Sequence, residues 1–204
     1  MKKKWFTWSN ISNAVLILFF LAMILIPDVK AWTIRNLMKI GLFQPDVPEV
    51  AVNQNAALTP AYVPIVFRDV NGQIVDLSIQ KDKVIFINFW ATWCPPCIAE
   101  MPAIQDLYNQ FKDNKNVLFI MADMDDNFSK AQSFMKKKGY DLPVFTPMSQ
   151  MPEAMYTGTL PTTVILDKSR NISFHHEGIA DYSNPEVAAF IRQLAAANPQ
   201  MNGR

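Results

Sequence analysis

The chain is expected to fold as an α/β domain, a mixed β-sheet flanked by helices, behind an N-terminal transmembrane helix. Three observations carry that expectation. Residues Trp5 to Pro27 hold no charge and follow Lys2-Lys3-Lys4. Further on, short apolar runs of strand character alternate with stretches of helical periodicity. One of those runs, apolar on both faces, leads into a C-x-x-C pair that opens a helix.

Composition narrows the classes. Of the 204 residues, 50% are hydrophobic and 12% aromatic, enough for a packed core and too apolar for disorder. Residues 1–43 carry six Lys or Arg against one acid, and residues 44–204 carry thirteen against seventeen, which splits a net +1 into +5 and −4. An acidic domain with no basic run beside its aromatics is a poor nucleic-acid binder, so no nucleic-acid partner is expected.

The first segment, residues 1–43, reads as a membrane anchor. As a helix, Trp5–Pro27 would span about 34 Å, against a hydrocarbon core of ~30 Å. Trp5, Phe6 and Trp8 suit the headgroup belt, with the three lysines on the cytoplasmic side. A signal peptide cut after Ala31, with Val29 and Ala31 as the small residues, is the competing reading. Both send the domain across the membrane, in a single-pass protein of the inner membrane facing the periplasm in the anchored case. Residues 31–43 have an amphipathic pattern, with Arg35 and Lys39 on one face. They suit either a helix on the outer membrane surface or an extension of the anchor. Residues 44–61, with Pro45, Pro48 and Pro60, read as an extended linker.

The domain proper is expected over residues 62–200. Ile65–Phe67 and Gln73–Leu77 flank Asn71-Gly72, a preferred two-residue hairpin turn. Lys83–Trp90 reads as a central buried strand. After Cys94 the apolar positions Ile98, Met101, Ile104, Leu107 and Phe111 are helical, with Pro102 expected to kink the helix. Val117–Ala122 is a second buried strand, and Phe128–Lys138 a helix ended by Gly139. Val144–Phe145, Thr162–Asp167 and Ile172–Phe174 complete the strands, and Pro185–Ala197 is the closing helix.

Cys94 and Cys97 are the only cysteines. A disulfide scaffold uses more, a structural zinc site needs four ligands, and a c-type haem site needs His where Ile98 stands. A redox pair is left. Cys94 falls at a helix N-cap with Pro95 at the first helical position, where its missing N–H costs nothing. A thiolate there feels the positive end of the helix dipole, which lowers its pKa. Cys97, one turn in, turns toward the core, so the expectation is an exposed nucleophilic sulfur and a shielded second one.

Ile87-Asn-Phe-Trp-Ala-Thr-Trp-Cys-Pro-Pro-Cys97 resembles the active-site segment of the thioredoxin superfamily, most nearly its TlpA/ResA branch of membrane-anchored thiol–disulfide oxidoreductases. The likeness continues through Glu100-Met-Pro102 and Gly158–Asp167 and covers roughly residues 62–197. It implies a thioredoxin-like fold and a reductant of protein disulfides that needs no cofactor. Its electrons would come from a membrane-embedded donor, and cytochrome c biogenesis is one setting. By the same resemblance Cys94 attacks the substrate disulfide, Cys97 resolves the mixed disulfide, and Trp93 flanks the reacting sulfur. Leu160-Pro161 would be a cis peptide facing Cys94, with the backbone around Leu160 and Thr162 pairing to the substrate chain. One departure from thioredoxin proper matters: Asn88 stands where a buried aspartate is found there, and an amide cannot take a proton. Its ordinary task would be to bond neighbouring backbone. The branch implicates the carboxylate three residues after the second cysteine, which is Glu100. Glu100 shares a helix face with Cys97, and that face continues through Ile104 and Leu107, so burial should raise its pKa into the range of a thiol base.

Other motifs fall away. Asp123–Asn127 begins like a calcium loop but has Phe128 and Phe134 at the glycine and glutamate positions, so it reads as a solvated strand end capping the next helix. His175 and His176 alternate sides of a strand, and no metal site is expected. A tethered Cu(I)-binding or delivery module using the same two thiols is the alternative function.

Overall fold

The computed structural model describes residues 8–38, 43–47, 64–125 and 127–197. Lys2–Lys4, Trp5, Phe6, residues 39–42 and residues 48–61 of the expected linker lie outside that range. The elements are α1 (Trp8–Leu25), α2 (Pro27–Met38), β1 (Val66–Asp69), β2 (Ile74–Asp76), a single 3-10 turn (Leu77–Ile79) and β3 (Val84–Trp90). They continue with α3 (Pro95–Phe111), β4 (Val117–Asp123), α4 (Phe128–Lys138), β5 (Val144–Pro147), β6 (Thr162–Leu166), β7 (Ile172–Glu177) and α5 (Pro185–Ala196).

The strands form one mixed sheet in the order β2-β1-β5-β4-β3-β6-β7. β3 is parallel to β4, from Val84↔Val117 to Trp90↔Asp123, and antiparallel to β6, from Ile85↔Leu166 to Phe89↔Thr162. All seven of its residues are buried, as its apolar run requires of a central strand. Side chains alternate across the sheet. Val84, Phe86 and Trp90 join a core built from α3, α4 and α5. Ile85, Ile87 and Phe89 face the other way, under Leu77 of the 3-10 turn and the loop carrying Met151, Met155 and Tyr156.

Two local expectations change, at the β1–β2 hairpin and at the N-terminus, while Pro102 lies inside α3 as expected. The β1–β2 hairpin closes around three residues, Val70-Asn71-Gly72, because Asp69 and Gln73 still bond across it. Asp69 Oδ1 accepts the N–H groups of Asn71 and Gln73, and Gly72 takes φ 80°. That is the three-residue loop whose last position needs the left-handed region, and glycine enters it freely. The second change is at the N-terminus, where the helix expected through Pro27 stops at Leu25 and a new one begins at Pro27. Proline lacks the N–H that would continue the first helix and disfavours helical backbone in the residue before it. No single helix among the described residues is long and apolar enough to cross a membrane; α1 and α2 meet that criterion only as a pair bent by 101°.

The bend separates α2 from the axis of α1. α2 packs on α3: Ala31 and Met38 are buried against Ile98 and Ala99, and Asp28 pairs with Lys138 at 2.8 Å. Val47, within the segment read as linker, packs against the main core.

Phe86 stacks on Phe119 at 4.7 Å and meets Tyr182 edge-on at 5.6 Å, in the middle of that core. Phe86→Ala is expected to destabilise the oxidised protein by ~3–5 kcal/mol, the usual cost of emptying a buried aromatic site. A denaturant titration with an unchanged slope measures it.

Candidate active site

The site forms where β3 ends. From Trp90 the chain turns through Ala91–Trp93 into Cys94, whose extended backbone (φ −92°, ψ 101°) makes it the N-cap of α3. Pro95 and Pro96 fill the first two helical positions and carry no N–H. The cap bond therefore comes from the third: Cys97 N–H donates to Cys94 Sγ at 3.3 Å. The two sulfurs are joined in a disulfide.

Their exposure differs less than the sequence suggested. Cys94 is 4% exposed and Cys97 fully buried, so the exposed sulfur expected at the N-cap is itself buried in the disulfide form. Cys94 joins the main core cluster, which no periodicity within α3 reports. Trp93, by contrast, is 59% exposed immediately before Cys94.

The Leu160-Pro161 peptide is cis. The β3–β6 register, ending at Phe89↔Thr162, leaves Pro161 beside Trp90 at the mouth of the active-site turn. Pro161 C=O accepts Gly178 N–H at 2.8 Å. Among the described residues the Leu160 peptide N–H and C=O have no backbone partner, and its side chain is half-buried. Thr162 is different. It is fully buried between Phe89 and Glu177, with its hydroxyl donated to Thr159 C=O at 2.8 Å, so it shapes the turn and offers no side-chain surface.

Behind Cys97, one turn along α3, Glu100 is fully buried. Asn88 Nδ2 donates to Glu100 Oε1 at 2.8 Å and to Thr163 Oγ1 at 2.9 Å, and Ala180 N–H donates to Glu100 Oε2 at 3.3 Å. Burial pushes the Glu100 carboxyl from 4.5 up to about 8, against the lowering effect of the Asn88 and Ala180 hydrogen bonds. Asn88 thus bonds a carboxyl and a hydroxyl rather than the neighbouring backbone expected of it, because the sheet register places Thr163 directly opposite. Tyr182, fully buried, lies near Glu100 and Thr163 while its hydroxyl completes no hydrogen bond.

A second pair of acids escaped the sequence reading. Asp123 and Asp125 were expected in solvent, yet both are buried at the end of β4, which runs beside β3. Asp125 Oδ2 accepts Thr92 N–H at 2.6 Å, and its other oxygen pairs with Lys130 at 3.0 Å. Partial burial works to raise Asp125, but the bonds from Thr92 and Lys130 outweigh it and hold the carboxyl below its ordinary value. Burial raises Asp123 to about 6, partly offset by the Asp125 N–H bond to it. Through Thr92, Asp125 pins the turn that presents Trp93 and Cys94, and Asp123 accepts the Asp125 N–H. Asn127, the last residue of that stretch, caps α4, its side chain accepting Lys130 N–H. The usable signal was positional: both acids follow the buried strand that neighbours the cysteine-bearing one.

The end of β3 thus brings together a disulfide at a helix N-terminus, a cis proline on the neighbouring strand and a buried carboxyl one helical turn past the inner cysteine. Among the described residues no cluster of three or more metal-binding side chains occurs. A family profile described as Redoxin matches residues 47–191. The chain belongs to the redoxin family. Within it, the thiol-disulfide oxidoreductase ResA of Bacillus thuringiensis is 35% identical over 130 residues, covering 63% of this chain and 73% of that one. A putative thiol:disulfide interchange protein DsbE from Chlorobium tepidum superposes with a TM-score of 0.55 at 21% identity, over 65% of this chain and 94% of that one. A putative thioredoxin from Neisseria meningitidis gives 0.52 at 26% identity, over 64% and 89%. This redoxin is accordingly a thioredoxin-like α/β protein and a thiol–disulfide oxidoreductase.

The raised acids fix the sign of a pH effect. Between its ordinary value of 4.5 and about 8, Glu100 keeps a proton in the folded protein that the unfolded chain releases. The folded state then binds more protons, so stability falls as pH rises. The Asp123 share is complete by about pH 6. Unfolding free energy of the oxidised protein is therefore expected to decline from pH 6 to 8, and Glu100→Gln to flatten that decline. Asn88→Leu removes a donor to the carboxylate and is expected to move the Glu100 midpoint upward, read from the carboxyl carbon shift by NMR.

Proposed function

We propose that this redoxin is an extracytoplasmic reductant of protein disulfides, held to the membrane by its N-terminal helices and re-reduced by a membrane-embedded dithiol. The observation that carries the mechanism is the buried Glu100 carboxyl one helical turn behind Cys97, with a pKa of about 8, close to the ~8.5 of an ordinary thiol. A carboxyl raised this far can hold a thiol's proton, which a carboxyl at its ordinary value would not.

In the reduced enzyme the Cys94 thiolate attacks a substrate disulfide and expels one substrate thiolate. The Cys97 thiol gives its proton to the Glu100 carboxylate and attacks Cys94 Sγ, which releases the second substrate sulfur and closes the Cys94–Cys97 disulfide. Two electrons have passed to the substrate, and Glu100 holds the proton. When the donor dithiol attacks Cys94, Cys97 leaves as a thiolate and takes that proton back. The donor finishes as a disulfide. Trp93 flanks the reacting sulfur, the free Leu160 peptide pairs with the substrate backbone beside cis-Pro161, and Thr162 holds the turn. Proteins with cysteine pairs awaiting haem are one substrate class.

The direction follows from the cap. A Cys94 thiolate receives one local N–H, from Cys97, because Pro95 and Pro96 have none. Less stabilisation makes it a poorer leaving group and the dithiol a better reductant. The membrane reading is supported by α1. Val15, Ile17, Leu18, Phe20, Leu21, Ile24 and Leu25 are all exposed on it, an apolar surface on every side that needs cover. Its 18 residues reach ~27 Å, slightly short of a ~30 Å hydrocarbon core, a mismatch that local thinning accommodates. The Cu(I) module would use the same thiols but gives Glu100 no task; Cu(I) titration of the reduced protein against loss of exchange activity separates the two.

Cys94→Ser is expected to abolish covalent capture of substrate, while Cys97→Ser accumulates the mixed disulfide. Capture by Cys94→Ser protein would reverse the assignment. Glu100→Gln is expected to slow turnover of a disulfide substrate ~10-fold or more and to erase a rate dependence with a midpoint near 8. Equilibration against glutathione should give a potential nearer ~−270 mV than ~−120 mV.

A further inference from the structure

Helix α2 has two occupied sides and one open one. Its inner side carries Ala31 and Met38 onto Ile98 and Ala99 of α3, with Ile34, Phe134 and Ile179 closing the rim. The Asp28–Lys138 ion pair clamps its start to the end of α4. Past its end, Phe43 C=O accepts Asp181 N–H at 2.9 Å, and Gln44 Oε1 accepts Asn184 Nδ2 at 3.1 Å. Its outer side presents Trp32, 53% exposed, and Leu37, 40% exposed.

We propose that α2 is a rigid bracket between the bilayer surface and the active-site helix, holding the redox pair at a fixed height for a membrane-embedded thiol donor. The proposal rests on the reading of α1 as the membrane anchor. With α1 near the bilayer normal, the 101° bend lays α2 almost flat on the membrane. Trp32 and Leu37 then meet the headgroup region, where an indole is favoured and an amphipathic helix settles. The opposite side is already seated on α3. Packed helices lie about 8–10 Å apart, and Cys94 precedes the α2 contact at Ile98 by one turn of ~5.4 Å. The redox pair thus sits within roughly 20 Å of the headgroups. A domain on a free tether would sample heights well beyond that. The partner that fits is an integral membrane protein presenting a cysteine pair at the outer bilayer face. It reduces the Cys94–Cys97 disulfide by exchange and is left as a disulfide itself.

The full chain in phosphatidylcholine nanodiscs, with a small fraction of gadolinium-chelate headgroup lipid, tests this by paramagnetic relaxation of amide signals. The Ile98 and Ala99 amides should relax strongly in the parent. Enhancement should fall severalfold in Trp32→Glu/Leu37→Glu, which loses the lipid-facing side and keeps the buried contacts. A second variant, Ala31→Arg/Met38→Arg, opens the α2–α3 contact and should give the same fall, with reduction by dithiothreitol reporting that the site is intact. Equal enhancement in the parent and the outward-facing variant overturns the bracket. A parent chain that does not float with lipid overturns the anchor reading beneath it, so the two failures are distinct.

Discussion

Every part of the site hangs from one strand buried on both faces. β3 has a neighbour bonded along each edge and a core against each face, so its register cannot slip without moving an apolar side chain into the wrong layer. That fixed register does several things at once. It delivers Asn88 opposite Thr163, ends at Trp90 beside Pro161, and starts the turn that makes Cys94 a helix cap. The parallel partner β4 ends at the same level and leads to Asp125, which holds the turn. Precision at the sulfurs is inherited from burial seven residues long.

Two acids close to the site are raised by burial, and they differ in task. Glu100 is wholly enclosed, receives two donors, and sits near the value at which it can exchange a proton with a thiol. Asp123 is held lower, with Asp125 beside it anchored to Thr92 and Lys130. An uncompensated buried carboxyl destabilises a fold at neutral pH. The Asn88 amide bonds the Glu100 carboxyl without neutralising it, which a cationic partner would do.

The N-terminal helices connect this chemistry to its surroundings. A tether would leave the domain to find its partners by diffusion. The packing of α2 against Ile98 and Ala99, one and two residues past Cys97, ties the segment next to α1 to the same helix that carries the redox pair. Helix α2 and the helix that carries the redox pair form one packed unit.

Much of the fold was legible in the chain because its signals are local. The apolar run Val84–Trp90, the periodic positions after Cys94, the glycine after Lys138 and the Asn184-Pro185 cap each specify an element through residues that touch one another. The cysteine spacing and the two prolines fixed the geometry of the thiol cap for the same reason. What the sequence could not reveal arises between segments far apart. Thr163 and Ala180 reach the Glu100–Asn88 pair only through strand pairing and loop packing. Asp125 meets Thr92 across 33 positions, and α2 seats on α3 across more than 60. Local periodicity says which face of an element is apolar, but only the assembled fold says which other segment covers it.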